Sequence, residues 1–243
     1  MVAKALPEPG CGEPFRDKAE PRAAAFALQN TAAGERKAGG NIMDILKNLT
    51  ASAGNPGLFS LNKQKLKALR PQLFWPQNIL TNSSVDNPAT IEVLLNDGDI
   101  QPAVVVSVSP LLVACYSDEM DAAVLLCFPD GLAGKYGLKE GSRLLTVNGY
   151  TAAFGAGDIE RGPGYCGRWK AFGPIVADFY TDDTVRLTAQ KLQIPEELWA
   201  YVEQLGRKYM ADRPGMARNG LAYRFRNPQP IDKIRWNSKI SLD

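Results

Sequence analysis

Carboxylates are the acid–base groups that this sequence offers in quantity, because it contains no histidine. Without an imidazole, neither Ser-His-Asp or Cys-His catalysis nor a histidine-ligated zinc site can be built within the chain. One group of acids lies in a short polar stretch between two apolar runs and comprises Asp118, Glu119 and Asp121. Two converging carboxyl groups can act as a general acid and a general base, so these three residues form a candidate acidic cluster.

A second group of reactive side chains lies in a glycine-rich stretch, residues 154–169, which contains five glycines. Glycines let backbone N–H groups approach a ligand closely, although their order here matches neither a P-loop nor a dinucleotide-binding fingerprint. The candidate binding residues of this loop are Asp158, Glu160, Arg161, Cys166, Arg168 and Trp169. We favour a long surface loop that Trp169 and Phe172 anchor to the core, and the alternative is the mouth of a carboxylate-based hydrolase.

The C-terminal part of the chain is basic. Residues 205–243 carry nine Lys or Arg and three Asp or Glu, whereas residues 43–204 carry 13 and 18. A candidate basic face, Arg224 and Arg226, alternates with aromatic residues, a mixture that could contact phosphates and stack on bases. The same alternation is typical of an edge strand whose cationic outer face discourages pairing with other strands. We favour the strand, so nucleic acid is the less expected partner.

Hydrophobic periodicity predicts the elements that position these residues. Apolar residues at helical spacing predict one helix at Leu61–Arg70, which ends before Pro71, and another from Glu196 to about Met210. Alternating and β-branched runs predict six strands: Ile91–Leu95, Ala103–Val108, Leu111–Tyr116, Ala122–Phe128, Arg143–Val147 and Thr184–Ala189. Short turns between the first four runs favour an antiparallel meander. We expect an α+β fold, an antiparallel β-sheet of about six strands with flanking helices.

The first 42 residues have a different composition from the rest. They are rich in Ala, Gly, Pro and charged residues and contain few large apolar ones, which predicts a disordered tail. Residues 38–43 can also be encoded by DNA with AGGAGG shortly before the ATG of Met43, as in a bacterial ribosome-binding site. The tail is therefore either a true extension or upstream sequence read in frame. In both cases we expect a single domain at residues 43–243, beginning with a short amphipathic segment at Met43–Leu49.

Residues 134–149 resemble the middle of a PDZ domain. A Gly-Leu-Lys-Glu-Gly turn at residues 137–141 leads into a run that ends in Val-Asn-Gly, and Thr184–Lys191 is similar to the last strand of that family. The resemblance implies a β-rich, peptide-binding domain. The glycine-containing loop with which that family binds a peptide carboxylate has no match in Ser109–Val113, which puts the usual binding mode in doubt.

Cysteine spacing and apolar run length complete the expectations. The four cysteines lie far apart, which predicts neither a disulfide framework nor a metal site, and Cys115 and Cys127 lie in apolar runs where they should be buried. No run approaches the roughly 20 apolar residues that span a membrane, and no secretory signal is recognisable. We therefore expect a cytoplasmic protein without a cofactor.

Because no catalytic constellation is complete, the expected function is non-catalytic binding, with another protein as the partner. The alternatives are the carboxylate-based hydrolase and a nucleic-acid contact through the basic C-terminal segment. A hydrolase should have Asp158 or Glu160 facing the acidic cluster across a pocket. A binding module should instead expose a contiguous apolar patch.

Overall fold

A computed structural model describes residues 54–75, 87–153, 155–223, 225 and 228–236. The predicted tail at residues 1–42 and the amphipathic segment Met43–Leu49 lie outside these residues. So does the candidate basic face, because neither Arg224 nor Arg226 is among them.

The described residues form five α-helices and eight β-strands. The helices are α1 Lys63–Leu69, α2 Pro88–Asp97, α3 Gly131–Lys135, α4 Thr184–Gln193 and α5 Glu196–Asp212. The strands are β1 Asp99–Val108, β2 Leu111–Ser117, β3 Ala122–Phe128, β4 Arg143–Thr151, β5 Glu160–Arg161, β6 Ala171–Val176, β7 Met216–Asn219 and β8 Gln229–Pro230. Short 3-10 helices lie at Pro71–Phe74, Ala177–Phe179 and Ile231–Lys233.

The strands form one mixed sheet in the order β6-β4-β1-β2-β3-β7-β8, with β5 paired to β3 beside β7. Three of the four strands of the predicted meander are present, since β1, β2 and β3 pair antiparallel in sequence order. The prediction of a purely antiparallel sheet is wrong, because β7 pairs parallel to β3. The sheet curls into a half-barrel, and Arg218 of β7 donates from Nη1 to the backbone oxygen of Phe172 in β6 at 2.8 Å. That bond joins the two sides of the curled sheet.

Helix α5 covers the middle of the sheet by packing across β1, β2 and β3. Its periodic apolar residues, predicted from spacing, include the buried Trp199, Val202, Leu205 and Tyr209. Gly206 lies directly on Ala114 and Val106, where a Cβ atom would collide with their side chains. The close approach of this helix therefore depends on a residue without a side chain.

Two predicted strands are helices. Ile91–Leu95 lies inside α2, where the Asn87 side chain accepts a hydrogen bond from Thr90 N at 2.9 Å and Pro88 occupies the first turn. This cap and proline are typical of a helix start, and Ile91, Leu94 and Leu95 then place their side chains on one buried face. The β-branched content of the run was the misleading signal.

Thr184–Ala189 lies in α4, which Asp183 caps by accepting a hydrogen bond from Arg186 N at 2.9 Å. Its alternating apolar residues suggested a strand, but of this helix only Leu187 is buried. The correction also removes the match between Thr184–Lys191 and the last strand of a PDZ domain. Tyr223 and Phe225 are buried but form no strand, in contrast to the predicted edge strand.

The remaining predicted elements are confirmed with shifted ends. Leu61–Arg70 contains α1, which ends before Pro71. Cys115 and Cys127 are buried in β2 and β3, as expected of cysteines in apolar runs. Within the part of the chain that the structure describes, no helix combines the length and the apolar composition needed to cross a membrane.

Candidate functional site

The glycine-rich loop and the acidic cluster meet at one end of the sheet. The cluster lies in the turn between β2 and β3, and the loop connects β4 to β6 and contains β5. Gly162 N donates to the backbone oxygen of Asp121 at 2.8 Å, and Arg168 Nη1 lies 3.2 Å from Glu119 Oε2. The thiol of Cys166 lies 3.5 Å from the backbone oxygen of Glu119. The loop is therefore packed on the acidic turn and does not extend freely into solvent.

Asp121 holds the loop in this position. Its Oδ1 accepts hydrogen bonds from the hydroxyls of Tyr116 at 2.9 Å and Tyr201 at 2.8 Å, and its Oδ2 accepts one from Gly164 N at 2.6 Å. Asp121 is buried and has a φ of 44°, a left-handed conformation that is uncommon for a residue with a side chain. This member of the acidic cluster is thus a structural residue that connects the turn, the loop and α5.

Asp158 lies beside Arg218, the residue of β7 whose side chain reaches β6, and is 0 % exposed. Arg218 binds it with two hydrogen bonds of 2.7 Å, from Nε and Nη2, and the Tyr209 hydroxyl contacts it at 3.3 Å. Since the same guanidinium also reaches Phe172 O, Asp158 orients the side chain that joins β7 to β6. Its charge is neutralised by a partner in the fold.

Glu160 is also occupied by cations. It is buried and accepts a hydrogen bond from Arg213 Nη1 at 2.7 Å, and it forms an ion pair with Lys208 of α5. The two loop carboxylates that a hydrolase was expected to direct at the acidic cluster, Asp158 and Glu160, are thus both bound by cationic side chains. Cationic residues from Lys208 of α5 onward bind both carboxylates, and these partners are distant in the sequence.

The carboxyl group that does meet the acidic cluster is Asp99, the first residue of β1. Its Oδ2 accepts hydrogen bonds from Gln101 Nε2 at 2.7 Å and from the Tyr150 hydroxyl at 2.9 Å. The same nitrogen of Gln101 donates to Asp118 Oδ1 at 2.6 Å. Two carboxyl groups, one buried and one exposed, thus share a single amide nitrogen.

Strand register explains this convergence. Asp99 pairs with Asn148 and Gln101 with Thr146, so these four side chains project from one face of neighbouring strands. Asn148 donates to Tyr116 O at 2.7 Å and accepts from the Thr146 hydroxyl at 3.1 Å, which satisfies the polar groups beside the pair. The result is an ordered polar network at the end of an otherwise apolar sheet.

The electrostatics of this network favour a neutral Asp99. Burial, and next the negative charge of Asp118, raise the pKa of Asp99 to about 7, while the hydrogen bonds from Gln101 and Tyr150 partly oppose this shift. Burial and the charge of Asp99 also raise the pKa of Tyr150 well above its usual value, so its hydroxyl keeps its proton. Asp99 can consequently hold or release a proton near neutral pH.

Trp169 covers this network from the loop. Its ring stacks on Tyr150 with 5.5 Å between centroids and an interplanar angle of 29°. Its buried indole N–H has no hydrogen-bond partner among the described residues. Trp169 therefore anchors the loop, as the surface-loop interpretation expected, and it does so on the candidate site itself.

The other candidate loop residues lie further out. Arg161 and Arg168 are exposed, and the guanidinium of Arg161 lies 4.4 Å from the ring centroid of Tyr165. Cys166 is half-buried. Among the described residues, no group of three or more cysteines or carboxylates is arranged to hold a metal ion.

Asp99 was missed because it follows an Asn-Asp-Gly run that favours a turn, and turn acids are usually solvated. The signal that could have identified it is the polar alternation of Asp99 and Gln101 at the start of an apolar strand. In a comparison with known proteins, no family model, curated protein or solved structure matches this chain.

Proposed function

We propose that this protein is a hydrolase in which Asp99 acts as the general acid and Asp118 as the general base. The observation that carries the proposal is the contact of both carboxyl groups with Gln101 Nε2, at 2.7 and 2.6 Å. A protonated carboxyl beside a solvent-facing carboxylate is the pairing that acid–base catalysis needs, and perturbed carboxyl pKa values are concentrated at catalytic sites.

Each carboxyl has a defined part in the reaction. Asp99 Oδ2 accepts the hydrogen bonds from Gln101 and Tyr150, so the other oxygen, Oδ1, is the one on which a neutral Asp99 would carry its proton for a leaving group. Asp118 is exposed and can accept a proton from the attacking water. Hydrolysis needs only these two proton transfers and a water molecule.

Non-catalytic binding stays a prediction, supported by an exposed apolar stripe on α4. The nucleic-acid alternative also stays a prediction, because its two arginines lie outside the described residues. We favour hydrolysis because it alone gives a role to the shared contact of two carboxyl groups at the loop.

The test combines activity with a direct titration. The protein is assayed from pH 5 to 9 on p-nitrophenyl glycosides, esters and phosphates, and the carboxyl ¹³C signal of Asp99 is followed by NMR. We expect Asp99 to titrate near pH 7 and activity to fall above that pH, because the acid loses its proton. Asp118→Asn should lower the pKa of Asp99, since it removes a negative charge beside it.

Asp99→Asn and Asp118→Asn should each reduce kcat roughly 10²- to 10⁴-fold. Glu92→Gln is the matched control, because it neutralises an exposed acid of α2 that has no part in the network. Titration of Asp99 near pH 4 contradicts the proposal. So does hydrolysis that survives Asp99→Asn, or the absence of hydrolysis across the substrate series.

A further inference from the structure

A partly exposed aromatic ring borders the polar network around Asp99. Trp169 is half-buried, and its stacking on Tyr150, with 5.5 Å between centroids, covers one face of the ring and leaves the outer face for other contacts. The hydroxyl of Tyr150 in turn donates to Asp99 Oδ2 at 2.9 Å. Two direct contacts therefore fix the position of the tryptophan ring relative to the buried acid.

The loop beside this ring leaves room for a ligand. A Cβ atom at Gly167, two residues before Trp169, would meet no neighbouring atom of the described residues within 4 Å, so the backbone there borders open space. The indole N–H of Trp169 is buried and has no hydrogen-bond partner among the same residues. A buried donor without an acceptor is costly, and an oxygen atom of a bound ligand would remove that cost.

The charges around the site favour a ligand without a negative charge. Besides burial, the negative charges of Asp118 and Glu119 raise the pKa of Asp99, and the same charges repel a phosphate or carboxylate ligand. Arg168 offsets part of this charge, since its Nη1 lies 3.2 Å from Glu119 Oε2. A neutral sugar avoids the repulsion. It also carries several acceptor oxygens and presents an apolar ring face of C–H groups, which suits the face of an indole ring.

We propose that the site binds a neutral saccharide, whose sugar ring packs on the outer face of Trp169 and whose glycosidic oxygen lies at Asp99. The cleavage step rests on the hydrolase proposed above. Asp99 gives its proton to the glycosidic oxygen as the bond from that oxygen to the anomeric carbon breaks, and a water molecule attacks the anomeric carbon and loses a proton to Asp118. Asp118 then releases this proton and Asp99 regains one from solvent. Glycosides suit the site because two carboxyl groups supply all the acid–base chemistry that their hydrolysis needs.

Binding is tested apart from turnover on the full chain with Asp99→Asn, which has no acidic proton to donate. Cellotetraose, chitotetraose, maltotetraose and xylotetraose are titrated separately, and binding is followed by calorimetry and by tryptophan fluorescence. We expect at least one of them to bind and to change the fluorescence. Adding Trp169→Leu should weaken this binding roughly ten- to hundred-fold, because the aromatic face is lost. Trp169→Phe keeps a ring on Tyr150 and should weaken it roughly two- to ten-fold, the effect of one hydrogen bond.

The matched control is Trp75→Leu, which removes another partly exposed tryptophan, at 38 %, outside the loop. It should leave both the binding and the fluorescence change in place, and circular dichroism should show that all variants keep the fold. Absence of saccharide binding, or binding that Trp169→Leu leaves unchanged, overturns the proposal. Hydrolysis of esters or phosphates but not of glycosides by the unchanged protein also overturns it, although a hydrolase then remains. Saccharide binding through Trp169 without hydrolysis of any glycoside supports the binding site and overturns the hydrolase instead.

Discussion

Asp158 and Asp99 lie near the same end of the sheet and are both buried, at 0 and 4 % exposure, but their partners have opposite charges. Asp158 is bound by the guanidinium of Arg218 through two hydrogen bonds. The donors to Asp99 among the described residues are neutral, Gln101 and Tyr150, and a second carboxylate lies beside it. Burial by itself therefore does not identify a functional acid. The charge of the neighbouring group decides whether a buried carboxyl is held as an anion or keeps its proton.

The largest effect on stability should come from breaking the ion pair between Arg218 and Asp158. Arg218→Met leaves Asp158 buried without a counterion and removes the bond to Phe172 O, so the free energy of unfolding should fall by roughly 3–5 kcal/mol. Urea denaturation at pH 7.5 measures this loss. The double variant Arg218→Met/Asp158→Leu should recover most of it, because no unpaired charge remains. A loss below about 1 kcal/mol in the single variant contradicts a structural role for the pair.

Asp99→Asn should raise the free energy of unfolding, in contrast to Arg218→Met. The folded protein holds the Asp99 proton up to about pH 7, whereas the unfolded chain releases it near its ordinary pKa of 3.8, so this group lowers stability progressively as the pH rises between these values. The variant should match the unchanged protein at pH 4 and exceed it by up to about 4 kcal/mol at pH 8. Unfolding free energies across this pH range measure the difference. A difference that does not vary with pH contradicts the raised pKa.

Gly162→Ala tests the attachment of the loop to Asp121. A Cβ atom at residue 162 would collide with the Asp121 carboxylate and the Tyr201 hydroxyl, so we expect a loss of roughly 1–3 kcal/mol. Gly167→Ala is the matched control in the same loop, because no atom lies near its Cβ position. Thermal unfolding of both variants distinguishes them. Equal stability shows that the loop tolerates displacement from the acidic turn.

Arg168→Ala should have the smallest effect. Its ion pair with Glu119 is solvent-exposed on the arginine side, at 65 %, and such pairs contribute little. We expect a change within about 0.5 kcal/mol in urea denaturation, which salt should reduce further. A loss above about 1.5 kcal/mol shows that the loop depends on this pair more than on Asp121.

Local patterns predicted much of the fold and little of the candidate site. Strands β1 to β4 and helices α1 and α5 follow from apolar runs and periodicity, because their buried faces are encoded in consecutive residues. Helices α2 and α4 were mistaken for strands because short runs with β-branched residues suit both structures, and caps at Asn87 and Asp183 decided between them. The meeting of loop and acidic turn could not be predicted, since spacing along the chain carries no distance between separate turns.

The sequence by itself determined the absence of imidazole chemistry, the α+β class and the burial of Cys115 and Cys127. Only the tertiary structure decided which acids are neutralised. The curled sheet brings Arg218 to Asp158, and the pairing of β1 with β4 and β2 places Asp99, Gln101 and Asp118 together. Composition and periodicity report whether a residue type can be buried, but the charge state of a buried carboxyl depends on partners that are distant in the chain.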